Sequence, residues 1–206
     1  MRSIKIFLLL LLMLALPIAQ VGLASNMRPF QQAVQMYLQK IHAKDQYQTN
    51  ISQGINHALN KIPVLQTHRQ DLIRSIKASL PWHKMKSLLV TNFRKNYTLK
   101  QIDLVNGVLP ILNSQDVQLI NQFSKMTSST IKRTVYFNIQ TNIRKISKNH
   151  YHETLTQALR RDTDAEYELA ELYHHGIGVS QNTHRAIAWY QRSASHHNFC
   201  AQQALA

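Results

Sequence analysis

The chain reads as an all-α protein: a helical bundle region followed by a helix–turn–helix repeat. Apolar residues recur at three- and four-residue spacing along most of its length, the mark of one buried face per helix. Glycine and proline are scarce, at five residues each, so tight turns are few. No stretch alternates apolar and polar residues for long enough to make a half-buried strand. Near the C-terminus a pattern returns after 36 residues, where Ala201, Gln202 and Leu205 follow Ala165, Glu166 and Leu169. Periods of this size belong to helix pairs that stack because none buries its apolar face alone.

The first 24 residues are set apart as an export signal. Arg2 and Lys5 give a positive start, Ile6 to Leu16 is an unbroken apolar run, and Gly22-Leu23-Ala24 supplies the small residues a signal peptidase reads. The apolar run has 11 residues, short of the roughly 20 needed to span about 30 Å of hydrocarbon as a helix. The expectation is cleavage after Ala24 and a bacterial protein delivered to the periplasm or secreted. Cys200 is the only cysteine, so no internal disulfide framework is available and packing alone must hold the fold.

Charge divides the remainder in two. Residues 25–150 hold 18 Lys or Arg against Asp45, Asp71, Asp103 and Asp116, a balance of +14. Residues 151–206 hold four Arg against six acids, a balance of −2. The compositional boundary therefore falls near His150, giving a basic helical region and a repeat region. A field of +14 draws anionic surfaces and is screened by salt. With export expected, nucleic acid is disfavoured as the partner; anionic lipid, an acidic envelope polymer or an acidic protein fits the compartment.

Along the basic region the periodicity predicts a first helix from Arg28 to Lys44 on Phe30, Val34, Tyr37, Leu38 and Ile41. A second carries Ile51, Ile55, Leu59 and Ile62 and closes at Pro63. A third carries Leu65, His68, Leu72, Ile76 and Leu80, and a fourth Trp82, Met85, Leu89 and Phe93. Thr98 with Gln101 reads as a capping box opening a fifth, in which Ile102, Val105 and Leu109 align before Pro110. Ser114 is expected to cap a short helix bearing Val117, Ile120 and Phe123, followed by a hinge at Thr127-Ser128-Ser129-Thr130. A last helix then carries Ile131, Val135, Ile139, Ile143 and Ile146 and ends at Arg144, Lys145 and Lys148, cations suited to the carbonyl end of the dipole.

In the repeat, Ala165, Leu169 and Tyr173 form one stripe of a first helix. Gly176 and Gly178 allow the backbone angles of a fast reversal. Ala186, Trp189, Tyr190 and Ala194 line a second helix, with large aromatics beside small alanines. Leu172-Tyr173-His174-His175-Gly176-Ile177-Gly178-Val179 followed by Ala186-Ile187-Ala188-Trp189-Tyr190-Gln191-Arg192-Ser193-Ala194 resembles the Sel-like repeat, a relative of the tetratricopeptide repeat. The resemblance covers residues 165–206. It implies a helix–turn–helix unit that binds proteins, with these nine residues as its scaffold. Asn198 stands where that family ends the second helix with Gly, and Asn tolerates the left-handed conformation this implies. Residues 82–123 are more loosely similar to an exported bacterial helical family of unknown function, through Trp82 and Tyr97-Thr98-x-x-Gln101-Ile102.

One unit cannot stand alone, since about three are needed for independent stability. It must dock on residues 25–150 or complete its stack on another chain. Ala158 is the only residue that a 36-residue shift places against the pattern, opposite Ala194, which leaves a degraded unit at Tyr151–Arg161 open. The final segment leaves an apolar ledge at Leu205; this ledge and the variable positions His174 and His175 are the expected partner contacts.

No reaction chemistry stands out. His150 and His152, His174 and His175, and His196 and His197 lie in close sets, yet zinc takes three or four converging ligands and solvated histidines explain these spacings. Cys200 follows His196 and His197 by four and three residues but lacks an orienting third group. Asp162, Asp164, Glu166, Glu168 and Glu171 read as dipole complementarity on the repeat's first helix. The sequence thus predicts no enzyme, no cofactor and no metal. It predicts an adaptor, or an inhibitor of an envelope or secreted protein. The alternative is a basic envelope-binding protein that attaches to anionic lipid or polymer through residues 84–148.

Overall fold

A computed structural model describes residues 29–107, 111 and 113–206. The expected export signal, Leu109 and Pro110 lie outside these. Among the described residues every regular element is helical. In chain order they are α1 (residues 29–40), α2 (Ala43–Lys61), a 3-10 helix (Pro63–His68), α3 (Arg69–Ser79), α4 (Trp82–Asn96), α5 (Leu99–Asn106), α6 (Ser114–Leu159), α7 (Thr163–His175), α8 (Thr183–Ser195) and α9 (Phe199–Ala204). No described helix is long and apolar enough to cross a membrane.

Two compact units form from non-contiguous segments. One comprises residues up to 50 together with 81–134; the other comprises 51–80 and 135–206. The charge boundary near His150 falls inside α6.

The first unit is built around aromatic rings. Tyr37 of α1 meets Phe93 of α4 and Phe123 of α6 edge-on, with centroids 5.5 and 5.6 Å apart, while Phe93 and Phe123 stack at 5.1 Å. Such pairs add to the area their rings bury. Thr98 makes the capping box with Gln101 that opens α5, and left-handed Gly107 (φ 82°) closes it. Asn106 donates to the Ala33 carbonyl at 2.9 Å, tying α5 to α1.

In the second unit Ile51, Ile55 and Leu59 of α2, Leu72 and Ile76 of α3, and Ile139 and Ile143 of α6 are buried. A polar rung crosses this core. Ser79 donates to Asn138 Oδ1 at 3.1 Å, Ser75 donates to Asn142 Oδ1, and Asn142 donates to the Asn138 carbonyl at 2.8 Å. Buried polar side chains are stable when paired in this way.

The structure corrects four expectations. Ser114 lies inside α6 and does not cap it; the Asn113 side chain accepts from the Gln115 and Asp116 N–H groups, at 2.9 and 3.0 Å. The helix expected from Arg28 to Lys44 breaks at His42, whose left-handed backbone (φ 52°) redirects the chain so that Ala43 and Tyr47 are buried at the start of α2. Leu65 and His68 belong to a 3-10 turn, with Pro63 preset at its start, and not to α3. The hinge expected at Thr127–Thr130 is absent, because α6 continues for 46 residues through it. Thr127 and Ser129 turn their hydroxyls back onto the Phe123 and Met126 carbonyls, at 2.8 and 3.0 Å. Thr127 and Thr130 are buried, so local competition for the backbone is resolved inside the helix. Arg144, Lys145 and Lys148 consequently lie mid-helix, where no carbonyl end exists for them to complement.

Candidate functional site

The candidate site is the helix pair α7–α8 with the part of α6 on which it rests. Asp162 opens α7 by accepting from the backbone N–H groups of Asp164 and Ala165, at 3.1 and 3.0 Å, the usual work of an N-cap aspartate. Left-handed Gly176 (φ 68°) ends α7, and Gly178 (φ 74°) completes the reversal. Asn182 caps α8 through the Arg185 N–H at 2.9 Å. Asn198 does not take the left-handed position expected of it. That falls to His197 (φ 67°), while Asn198 is extended and caps α9 through the Ala201 N–H.

The pair is completed within the chain. Ala158 of α6 shares one core with Ala165, Leu169, Ala170 and Tyr173 of α7, Ala186 and Tyr190 of α8, and Ala201 of α9. Tyr151, Leu155, Val179, Trp189 and Ala194 pack against it, half-buried. The end of α6 thus serves as the preceding helix of the stack, and short α9 as the following one.

Docking on α6 is specified by close contacts. A Cβ built on Gly178 would lie 2.0 Å from the Ser147 carbonyl oxygen, so only glycine lets the turn approach that helix. The Tyr151 and Tyr173 hydroxyls share a hydrogen bond of 2.9 Å, and Arg185 donates to Tyr173 at 3.2 Å. The bond between the two hydroxyls, then burial, raises the Tyr151 pKa, against the pull of Arg185.

Each acid of α7 has its own partner. Glu166, fully buried, lies 2.7 Å from Arg192 Nε and 2.8 Å from His196 Nδ1. The Arg192 N–H points off Oε1, so that contact is ionic without an aligned hydrogen bond. The Arg192 guanidinium also covers the Trp189 ring at 5.0 Å. Glu171 accepts from the Tyr190 hydroxyl and lies 3.2 Å from His175. Burial first, and then the Glu171 carboxylate, raise the Tyr190 pKa well above its ordinary value.

Glu168 lies 3.1 Å from His150 Nε2, and His150 Nδ1 lies 3.1 Å from His68 Nε2. The imidazole pair therefore joins the 3-10 helix, α6 and α7. The hydrogen bond from His150 lowers the Glu168 pKa; burial opposes this, and Thr154 and His68 support it. A carboxyl depressed in the folded state contributes stability that is present above its unfolded value, near 4.5, and lost as pH falls through the folded value. Glu168→Gln, which keeps an acceptor for His150, is expected to flatten the acid limb of a stability–pH profile below pH 4.5. Urea unfolding at stepped pH checks this, and an unchanged slope would refute it.

The expected site residues divide accordingly. Ala165, Leu169, Tyr173, Ala186 and Tyr190 are buried, Trp189 and Ala194 are partly so, and Gly176 and Gly178 take positive φ. His174, His175 and Leu205 are exposed. His150 is buried, against the reading of solvated histidines, and Glu166 serves an ion pair besides the dipole. Cys200 is exposed, while the His196 ring turns to Glu166. Among the described residues no group of three or more His, Cys, Asp or Glu side chains is placed to hold a metal ion.

An open cleft of about 610 Å³ runs along α7. Pro63 and Val64 of the 3-10 helix and Tyr167 and Ile177 give it apolar walls; Asp162, Asp164, Glu168 and Glu171, with His175, give it charge. This cleft was not foreseen, because its walls come from segments about 100 residues apart in the sequence.

The residues that pack α7 on α8 coincide with a family pattern: residues 163–198 match the family model for the Sel1 repeat. This segment is a Sel1 repeat. No curated protein and no solved structure matches the chain. A Sel1 repeat points to protein–protein interaction, and proteins that carry it are typically non-catalytic scaffolds. Here the Sel1 repeat is docked on α6, with the exposed side of α7 facing the cleft.

Proposed function

We propose that the protein is an exported, non-enzymatic binding protein that holds an envelope or secreted partner as an adaptor or inhibitor, with the cleft along α7 as the contact surface. The observation that carries this is the Sel1 repeat completed by its own chain. With α6 and α9 filling its stack, the repeat needs no partner to fold, and the cleft remains open. Its four acids favour a partner segment that brings a basic side chain among apolar ones. His175 lies in the lining; His174 and Leu205 are exposed and extend the candidate contact surface.

Site-specific photocross-linking in the source cell tests this reading. With p-benzoylphenylalanine at Val64, on the cleft wall, discrete adducts to another protein are expected. At Ile187, exposed on α8 and absent from the lining, none is expected. No adduct from Val64, or the same adducts from both positions, would contradict the proposal.

A further inference from the structure

The solvent side of α6 carries a second candidate surface, independent of the cleft. Phe137 is 73% exposed, more than any other large apolar side chain described, and its neighbour Tyr136 is 61% exposed. Arg144, Lys145 and Lys148 are exposed on the same helix, and none forms an ion pair among the described residues. Spacings of seven and four place Phe137, Arg144 and Lys148 in one column, with Tyr136 and Lys145 on its two flanks. No Asp or Glu occurs between Asp116 and Glu153. Because α6 runs on to Leu159, the helix dipole does not account for these cations.

We propose that this face of α6 docks on an anionic phospholipid surface, with Phe137 and Tyr136 entering the headgroup–acyl boundary and Arg144, Lys145 and Lys148 resting on lipid phosphates. Charge complementarity commits the face to an anionic occupant, and the two bare aromatics select lipid. Aromatic rings with flanking cations are the side chains that settle at membrane interfaces. The face is one convex helix surface, whereas single-stranded nucleic acid is held in a groove that tracks its backbone.

The test uses the full chain with a readout at the face itself, because the apolar run Ile6–Leu16 could bind lipid on its own. In F137W, with the parent spectrum subtracted, vesicles containing phosphatidylglycerol are expected to shift the added indole emission to the blue, and brominated lipid to quench it. Phosphatidylcholine vesicles should do neither. Adding R144Q, K145Q and K148Q is expected to weaken the response to anionic vesicles at least tenfold, and 0.5 M salt should weaken it similarly, by about that factor. Water-like emission with anionic vesicles would overturn the proposal. So would an affinity unchanged by the three substitutions, or an equal response to a single-stranded oligonucleotide.

Discussion

Gly178→Ala is expected to destabilise the second unit by about 3 kcal/mol, combining a left-handed backbone with overpacking. The new methyl would lie 2.0 Å from the Ser147 carbonyl oxygen and 2.5 Å from its carbon. These are backbone atoms of a long helix and cannot step aside as a side-chain tip does. Gly176→Ala is the control. Its φ of 68° is equally left-handed, but its methyl would meet Gln181 at 3.2 Å or more, a tight contact and not a clash, so a loss of about 1 kcal/mol is expected, chiefly from backbone strain. Urea unfolding of the two variants separates strain, which they share, from the clash, which only Gly178 carries. Equal losses would mean that the turn does not rest on α6.

Removing Arg192 has the second largest expected effect. Arg192→Ala leaves the Glu166 carboxylate buried with His196 as its remaining partner. Breaking a fully buried pair costs about 3–5 kcal/mol. Because the Arg192 side chain is 39% exposed, about 2 kcal/mol is the expected loss here. Part of that loss is the cover Arg192 provides over Trp189. Arg192→Lys should recover only part of the stability, since an ammonium keeps the charge beside Glu166 but lacks the planar group that covers Trp189. Combining Arg192→Ala with Glu166→Gln should recover most of it, because the unpaired charge is then gone. A single Arg192→Ala variant within 0.5 kcal/mol of the parent would contradict the pairing.

The helical class and the repeat were legible because both rest on local pattern. The stripe of Ala165, Leu169 and Tyr173 and the two glycines state their own roles, and the Thr98–Gln101 capping box is a rule over four residues. What was not legible depends on distant residues meeting. Thr127 to Thr130 form a weak helical segment in isolation, yet burial of Thr127 and Thr130 keeps α6 whole. His150 looks like a surface histidine until His68 and Glu168 meet it on either side of the ring. Glu166 looks like an ordinary first-turn acid until α8 brings Arg192 across. Ala158 gave the one sequence hint that α6 supplies the preceding helix, and a single alanine is too little to distinguish a degraded unit from coincidence.

The central claim is that the end of α6 completes the Sel1 repeat. Native-state hydrogen exchange of the parent chain and the Gly178→Ala variant tests it most directly. Amides of α7 and α8 and those of residues 147–158 are expected to open together in the parent, and to lose protection by the same factor in the variant. If α7 and α8 lost protection while residues 147–158 kept the parent's rates, the repeat would fold apart from α6 and the claim would fail.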